Sequence, residues 1–186
     1  DDFLLVPQFS NIESRSEVDI GSQLDNQIKL STPIISSPMD TVTEHSMAST
    51  MFKKGGLGII HRYNTIPEQL KQVKHADVSV VGAAVGIKGD FVERTQELVN
   101  NNVKVICVDV AHGDHILVKK ALEQLEKLPE RSRFHLMAGN VATGAGYKRL
   151  AQWGADSVRV GIGGGSICST RINTGHGLPN ISALFD

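Results

Sequence analysis

Cysteine is scarce: the chain has two in 186 residues, Cys107 and Cys168. They occupy different settings and show no paired-cysteine spacing. That excludes a disulfide framework and a cysteine-ligated zinc site and points to a reducing compartment, so the cytoplasm is the expected location. An excess of one charge is also missing. Nineteen Lys and Arg stand against 20 Asp and Glu, for a net charge of −1 with no extended basic run. Neither nucleic acid nor an acidic membrane has an electrostatic handle on such a chain, and the expected partner is a small molecule. No stretch approaches the roughly 18–20 consecutive apolar residues of a membrane span. The opening Asp1-Asp-Phe-Leu-Leu-Val lacks the basic region of a signal peptide. A GxGxxG turn after the first strand pattern is absent as well, which disfavours a doubly wound dinucleotide fold.

What is present is ordinary for a globular protein, with 40% hydrophobic and 21% charged residues, enough to bury one substantial core. The first thirty residues read as an extended lead-in with two short apolar strands, Phe3 to Val6 and Ile28 to Leu30. From Thr32 a rhythm sets in. Strand patterns fall at Pro33 to Ser37, Gly58 to His61, Val80 to Val85, Val103 to Val110, Phe134 to Ala138 and Ser157 to Gly161. Amphipathic stretches fall between them, at Glu44 to Lys54, Pro67 to His75, Gly89 to Asn101, Asp114 to Leu128 and Thr143 to Trp153. Alternation of this kind means a parallel sheet, and continuously apolar strands mean one covered on both faces.

Polar or glycine-rich residues gather just after the C-terminal end of each strand pattern: Ser36 to Asp40, His61-Arg62, Gly86, Asp109 to Gly113 and Gly139-Asn140. One-sided placement is where a (β/α)8 barrel carries its chemistry, so the expected fold is a TIM barrel. Such a barrel takes typically ~250 residues, so the chain is expected to cover about the first six of its eight units. The expectation is a single catalytic barrel domain over residues 1–186, part of a longer polypeptide whose remaining strands cover the exposed sheet edges.

The stretch on which function turns is Val160 to Arg171, where an apolar strand enters a loop containing Gly161, Gly163, Gly164 and Gly165. Glycine gives the backbone positive φ, so the loop can bring main-chain N–H groups to an anion or carbonyls to a monovalent cation. Cys168 then lies within reach of the bound group, in a polar loop where a thiolate is better favoured than in a strand. Cys107, in the apolar Val105-Ile-Cys-Val108, is the internal control and reads as a buried, inert thiol.

From Gly161 to Arg171 the sequence resembles the IMP dehydrogenase and GMP reductase family. Its signature, GxGxGSxCxTR or close to it, stands here as Gly161-Ile-Gly163-Gly-Gly165-Ser166-Ile-Cys168-Ser-Thr170-Arg171. Opening segments such as Asp1 to Pro7 and Ser14 to Asp19 also fit the family. The resemblance implies a purine nucleotide oxidoreductase in which Cys168 attacks purine C2, with hydride exchange between that carbon and a nicotinamide. It implies that Ser166 binds the nucleotide phosphate and that Thr170 activates the leaving group or water. The carbonyls of Gly163, Gly165 and Cys168 would hold K+. By the same resemblance Ser37, Met39, Asn140 and Arg159 are substrate-binding, while Asp109 and Gly161 are cofactor-binding. The cofactor is NAD if the reaction is oxidation of IMP to XMP, or NADP if it is reduction of GMP, and the assembly is a homotetramer. A nucleotide-binding regulatory protein without turnover is the reading from another class.

The residues also have structural readings. Asp40 or Thr41 would cap the following helix, and Gly139-Asn140 would form a turn with Thr143 as the next cap. His61-Arg62 and Trp153 would be structural, and His112 capping or solvated. Most of the family's dehydrogenases carry a pair of regulatory modules after the second unit, whereas here Leu70 to Val81 runs directly into the third strand pattern. Gly164 stands where the family often has proline.

Overall fold

The computed structural model of the protein describes residues 3–186. It begins without strand pairing: Phe3 to Val6, expected as a strand, forms none and its side chains are exposed. Its apolar residues have no neighbouring strand to bond. After a single 3-10 turn at Arg15–Glu17 capped by Ser14, the first strand pairing is a hairpin of β1 (Ser22–Gln23) and β2 (Lys29–Leu30). Asp25 closes its turn by accepting the N–H groups of Gln27 and Ile28 at 2.7 and 2.8 Å, the local bonding that favours Asp in turns.

The β/α rhythm then appears in full. It comprises β3 (Ile35–Ser36), α1 (His45–Lys53), β4 (Leu57–Ile60), α2 (Ile66–Ala76), β5 (Gly82–Val85) and α3 (Phe91–Asn100). It continues with β6 (Val105–Asp109), α4 (Ile116–Leu125), β7 (His135–Val141), α5 (Gly144–Gln152) and β8 (Ser157–Val160). Two short helices, α6 (Ser169–Thr174) and α7 (Asn180–Phe185), follow the cysteine loop.

Several helix starts are written locally. Thr65 and Glu68 cap α2 reciprocally, and Thr143 accepts the Gly146 N–H at α5 as expected. The expected cap of α1 by Asp40 or Thr41 does not form. The Val42 and Thr43 N–H groups turn back to the Met39 carbonyl, and the helix begins only after Glu44. Thr43, fully buried, instead donates its hydroxyl to the Ser37 carbonyl at 2.6 Å.

The six strands β3 to β8 pair in parallel and in strict chain order. A doubly wound sheet reverses its order at a switch point, and a barrel wall does not. This is a curled part of a TIM barrel. Because side chains alternate along each strand, the sheet carries two cores. The outer one joins Ile60, Val85, Ile106, Val108, Leu136 and Ala138 to helix residues such as Leu98, Leu122 and Leu150. The inner one holds Leu57, Ile59, Ala84, Val105, Cys107 and Met137, with Ile28 and Leu30 of the hairpin packed into it. Register stacks the inner face in layers: Gly82, Val105 and His135, then Ala84, Cys107 and Met137, then Asp109, Gly139 and Arg159. The last layer lies at the C-terminal ends of the strands and is the polar one.

Two expectations change here. β7 does not stop at Ala138 for a turn but runs through Gly139 and Asn140 to Val141, with a register irregularity between Gly139 and Val141. β8 is half-buried rather than buried, because it lies at the sheet edge with a strand on one side only. No helix among the described residues is long and apolar enough to cross a membrane.

Candidate active site

The polar layer is assembled across three strands. Arg159 leaves β8 and passes over β7 at Gly139, where a Cβ would lie 2.6 Å from the Cβ of Arg159. Only a bare backbone at position 139 admits it. The guanidinium donates to the Asp109 carboxylate at the end of β6 and also lies 3.7 Å from the Cys107 sulfur. A carboxylate that ends an apolar strand is costly to bury unpaired, and Asp109 has its partner from fifty residues further along the chain. Burial alone would lower the Arg159 pKa, but Cys107 and Asp109 beside it more than offset this and hold it above its ordinary value.

Asn140 links this layer to the cysteine loop. Its side-chain amide donates to the Gly161 carbonyl at 2.8 Å, while the Gly161 N–H bonds to Val141 at 2.7 Å. The same stretch grips the loop after β6, since the Gly113 N–H donates to the Asn140 carbonyl at 2.7 Å. Asn140 is thus a structural joint between two loops as well as a residue of the mouth.

Past β8 the chain turns through Gly161 and Gly163, at φ of 129° and 70°, the positive values that make glycine necessary. The returning segment pins the loop through an antiparallel bridge from Ile162 to Leu178, and Arg171 donates to the Ser166 carbonyl at 3.0 Å. Cys168 ends a tight turn, its N–H bonded to the Gly165 carbonyl at 3.1 Å, and starts α6. The main-chain N–H groups of Arg171 and then Thr170, with the Thr170 hydroxyl and the Arg171 charge, favour the thiolate and hold the Cys168 thiol below its ordinary pKa. Cys107 is the opposite case: full burial pushes its thiol up to about 12, so it stays protonated and inert as expected.

Other site candidates fall around this centre. Ser37 and Met39 lie at the end of β3; the Ser37 carbonyl is taken by Thr43, and the Met39 side chain is half exposed. Ser166 is exposed on the loop. Gly163, Gly165 and Cys168 lie in one short turn whose donors to a cation would be main-chain carbonyls. Among the described residues no cluster of three or more His, Cys, Asp or Glu could hold a metal ion. The structure shows no direct bond between Ser37 or Met39 and the cysteine loop.

His61 and Arg62, grouped together as structural, part company. His61 is buried, accepts the Tyr63 N–H at 3.2 Å and lies 3.4 Å from Glu44, a structural role as expected. Arg62 instead extends to the Asp109 carbonyl at 3.3 Å. Its position just past the apolar strand was the available signal, but its reach across β5 could not be read from spacing. Arg171, next in the signature after Thr170, was likewise not singled out, and it both clamps the loop and favours the thiolate.

Comparison with known proteins covers the chain almost completely. Residues 1–186 match the family described as IMP dehydrogenase / GMP reductase domain. The chain is 34% identical over 239 residues to inosine-5'-monophosphate dehydrogenase of Borreliella burgdorferi, covering 100% of this chain and 58% of that protein. It is 35% identical over 196 residues to GMP reductase of Klebsiella pneumoniae, covering 100% of this chain and 55% of that protein. The crystal structure of inosine 5' monophosphate dehydrogenase from Legionella pneumophila superposes with a TM-score of 0.90 at 41% identity, over 98% of this chain and 56% of that one. The chain thus spans little more than half the length of these relatives.

Proposed function

The chain belongs to the IMP dehydrogenase / GMP reductase family, and from that premise we propose that it carries the reacting cysteine of an NAD-dependent oxidation of IMP to XMP. The observation that carries the proposal is the Cys168 thiol, held below its ordinary pKa on a glycine loop that Asn140 ties to the Asp109–Arg159 layer. A nucleophile with a lowered pKa, placed at the C-terminal end of a barrel strand beside a polar mouth, suits attack on an electrophilic ring carbon.

In the proposed reaction the Cys168 sulfur forms a bond to purine C2. The hydrogen on C2 departs with its electron pair, and water then adds to C2 and expels the thiolate. The product gains one oxygen and the substrate loses two electrons, while the thiolate is regenerated. A nicotinamide, when bound, supplies the acceptor for those two electrons. The mouth suits such a group, since the buried Nε of Arg62 has no acceptor among the described residues. Asp109 and Gly161 would flank it. Ser37, Met39, Asn140 and Arg159 would hold the purine nucleotide, Ser166 its phosphate, and Thr170 would assist the water step. The carbonyls of Gly163, Gly165 and Cys168 would take K+, because neutral carbonyls suit a large monovalent ion and a divalent one would need carboxylates. The assembly proposed is a homotetramer in the cytoplasm.

Turnover of IMP with NAD against GMP with NADPH, measured on the full-length protein in K+ and in Na+ buffers, tests this. Production of XMP in K+ is the expected result. Turnover of GMP alone would reassign the chain to the reductase, nucleotide binding without either reaction would make it a regulatory protein, and equal rates in Na+ would remove the ion.

A further inference from the structure

The loop from Ser37 to Glu44 joins two elements that are fixed against each other. On one side β3 is paired to β4 at Ser36 and Gly58. On the other, α1 lies directly on β4, where a Cβ at Gly58 would come 2.5 Å from the Cα of Ala48. Inside the loop the buried polar side chain is Thr43, and each of its polar groups is engaged. Its hydroxyl donates to the Ser37 carbonyl at 2.6 Å, with the Ser36 hydroxyl 2.9 Å away. Its N–H meets the Met39 carbonyl at 3.0 Å, and its own carbonyl accepts the His61 N–H at 3.3 Å. That last bond is anchored in turn, because the buried Gln69 amide donates to the His61 carbonyl at 2.9 Å. The Ser37 carbonyl also accepts the Met39 N–H at 2.8 Å, and the Met39 carbonyl also accepts the Val42 N–H at 3.0 Å. A carbonyl has two lone pairs, so neither is left for a ligand, and what Ser37 and Met39 can offer one is their side chains.

We infer that Thr43 is a positioning residue for the purine nucleotide: its hydroxyl fixes the loop in the arrangement in which Ser37 and Met39 receive it, an inference that rests on the function proposed above. Thr43 does not itself reach the ligand, since it has no exposed surface. Its bond to Ser37 closes the loop on itself. Without the hydroxyl the Ser37 carbonyl is one donor short, and the loop is free to populate other arrangements. A ligand that fits one arrangement then binds with an apparent dissociation constant that rises as the fraction of molecules holding it falls. Such a loss weakens ground state and transition state alike, so it belongs in KM and leaves kcat alone.

The test compares Thr43→Val, which keeps the shape without the hydroxyl, with Thr43→Ser, which keeps the hydroxyl, in the full-length protein. The readout is the IMP concentration that half-protects Cys168 from iodoacetamide. It should rise about three- to tenfold in Thr43→Val, the usual net worth of one hydrogen bond, and stay within about twofold in Thr43→Ser. KM for IMP should rise by the same factor in Thr43→Val with kcat within about twofold, and alkylation without IMP should run at one rate in all three proteins. A fall in kcat with KM unchanged would mark a merely structural defect and overturn the inference, and so would Thr43→Ser binding no better than Thr43→Val. Amide hydrogen exchange of the natural protein supplies an arm that needs no variant to fold. The Val42 and Thr43 N–H groups should be protected before IMP is added, and free exchange of both would show that the loop is not preformed and overturn the inference. If IMP shields Cys168 equally in all three proteins, the role of Thr43 fails and the purine reading stands. If IMP does not shield Cys168 in the natural protein, the inference falls together with the proposed function.

Discussion

The floor and the mouth of the inner face carry comparable polar networks on the same strands, and they differ in what they leave unused. At the floor, buried His135 has both ring nitrogens engaged, with Asp25 at 2.9 Å and the Ser157 hydroxyl at 2.8 Å. Asp25 in turn accepts two main-chain N–H groups of the hairpin. The network clasps the lead-in to β7 and β8. At the mouth, Asp109 and Arg159 satisfy each other, but Arg62 keeps a buried donor without an acceptor and Cys168 keeps a thiol biased towards thiolate. A saturated network has nothing to offer a ligand and contributes stability, whereas an unsaturated one costs stability and is retained where something binds. The arrangement of Asp25, His135 and Ser157 resembles a nucleophile with its base, yet its engagement in the hairpin clasp marks it as structural.

The sharpest separation should come from Cys168→Ala. It should reduce turnover of the full-length protein by roughly 10⁴-fold or more, as removal of a covalent nucleophile does, with the thermal midpoint little changed. Steady-state kinetics beside a melting curve would show it, and retained turnover would exclude a covalent mechanism.

The converse experiment is His135→Leu. Stranding Asp25 and the Ser157 hydroxyl should cost about 1–3 kcal/mol in urea unfolding, the usual penalty for an unpaired polar group. Alkylation of Cys168 should proceed at its original rate. A slowed alkylation would mean that floor and mouth are coupled.

A smaller effect should appear in the pH dependence of alkylation in the folded protein. The Arg171 and Thr170 N–H groups stabilise the Cys168 thiolate, so its rate should rise with pH through a midpoint below that of an ordinary cysteine. Cys107, with its thiol near 12, should react only after unfolding. Peptide mapping after timed iodoacetamide exposure distinguishes the two, and equal labelling of both would contradict the assignment.

The smallest expected effect lies at the floor in acid. Burial raises the Asp25 pKa, but the N–H groups of Gln27 and Ile28 together with His135 outweigh that, and the net shift is downward. A depressed folded value means the contribution is fully present above the ordinary aspartate pKa and is lost as pH falls through the folded one. The stability gap between the natural protein and Asp25→Asn should therefore be widest near neutrality and close in acid. A gap independent of pH would show that the carboxylate charge plays no part.

Much of this was legible in the residues. Strand and helix positions followed from apolar runs and their spacing, and the fold class followed from polar residues lying after every strand. The two cysteines could be told apart because burial in Val105-Ile-Cys-Val108 and exposure in a glycine loop are set by immediate neighbours. Where the reading missed, more distant structure had decided. Phe3 to Val6 has strand composition but no partner strand. Asn140 has turn composition, yet β7 continues through it because β6 and β8 pair on either side.

The sequence by itself determined the alternation of elements, the contrast between the two thiols and the glycine loop that carries one of them, since these depend on periodicity and on contacts within a few residues. Tertiary structure alone decided that Arg159 crosses Gly139 to meet Asp109, that Asn140 holds Gly161, and that Arg62 reaches Asp109 while His61 beside it turns inward. A period of two tells which face of a strand a side chain takes. It does not say which residue of the next strand stands opposite, and that register is settled only when the whole wall packs around its core.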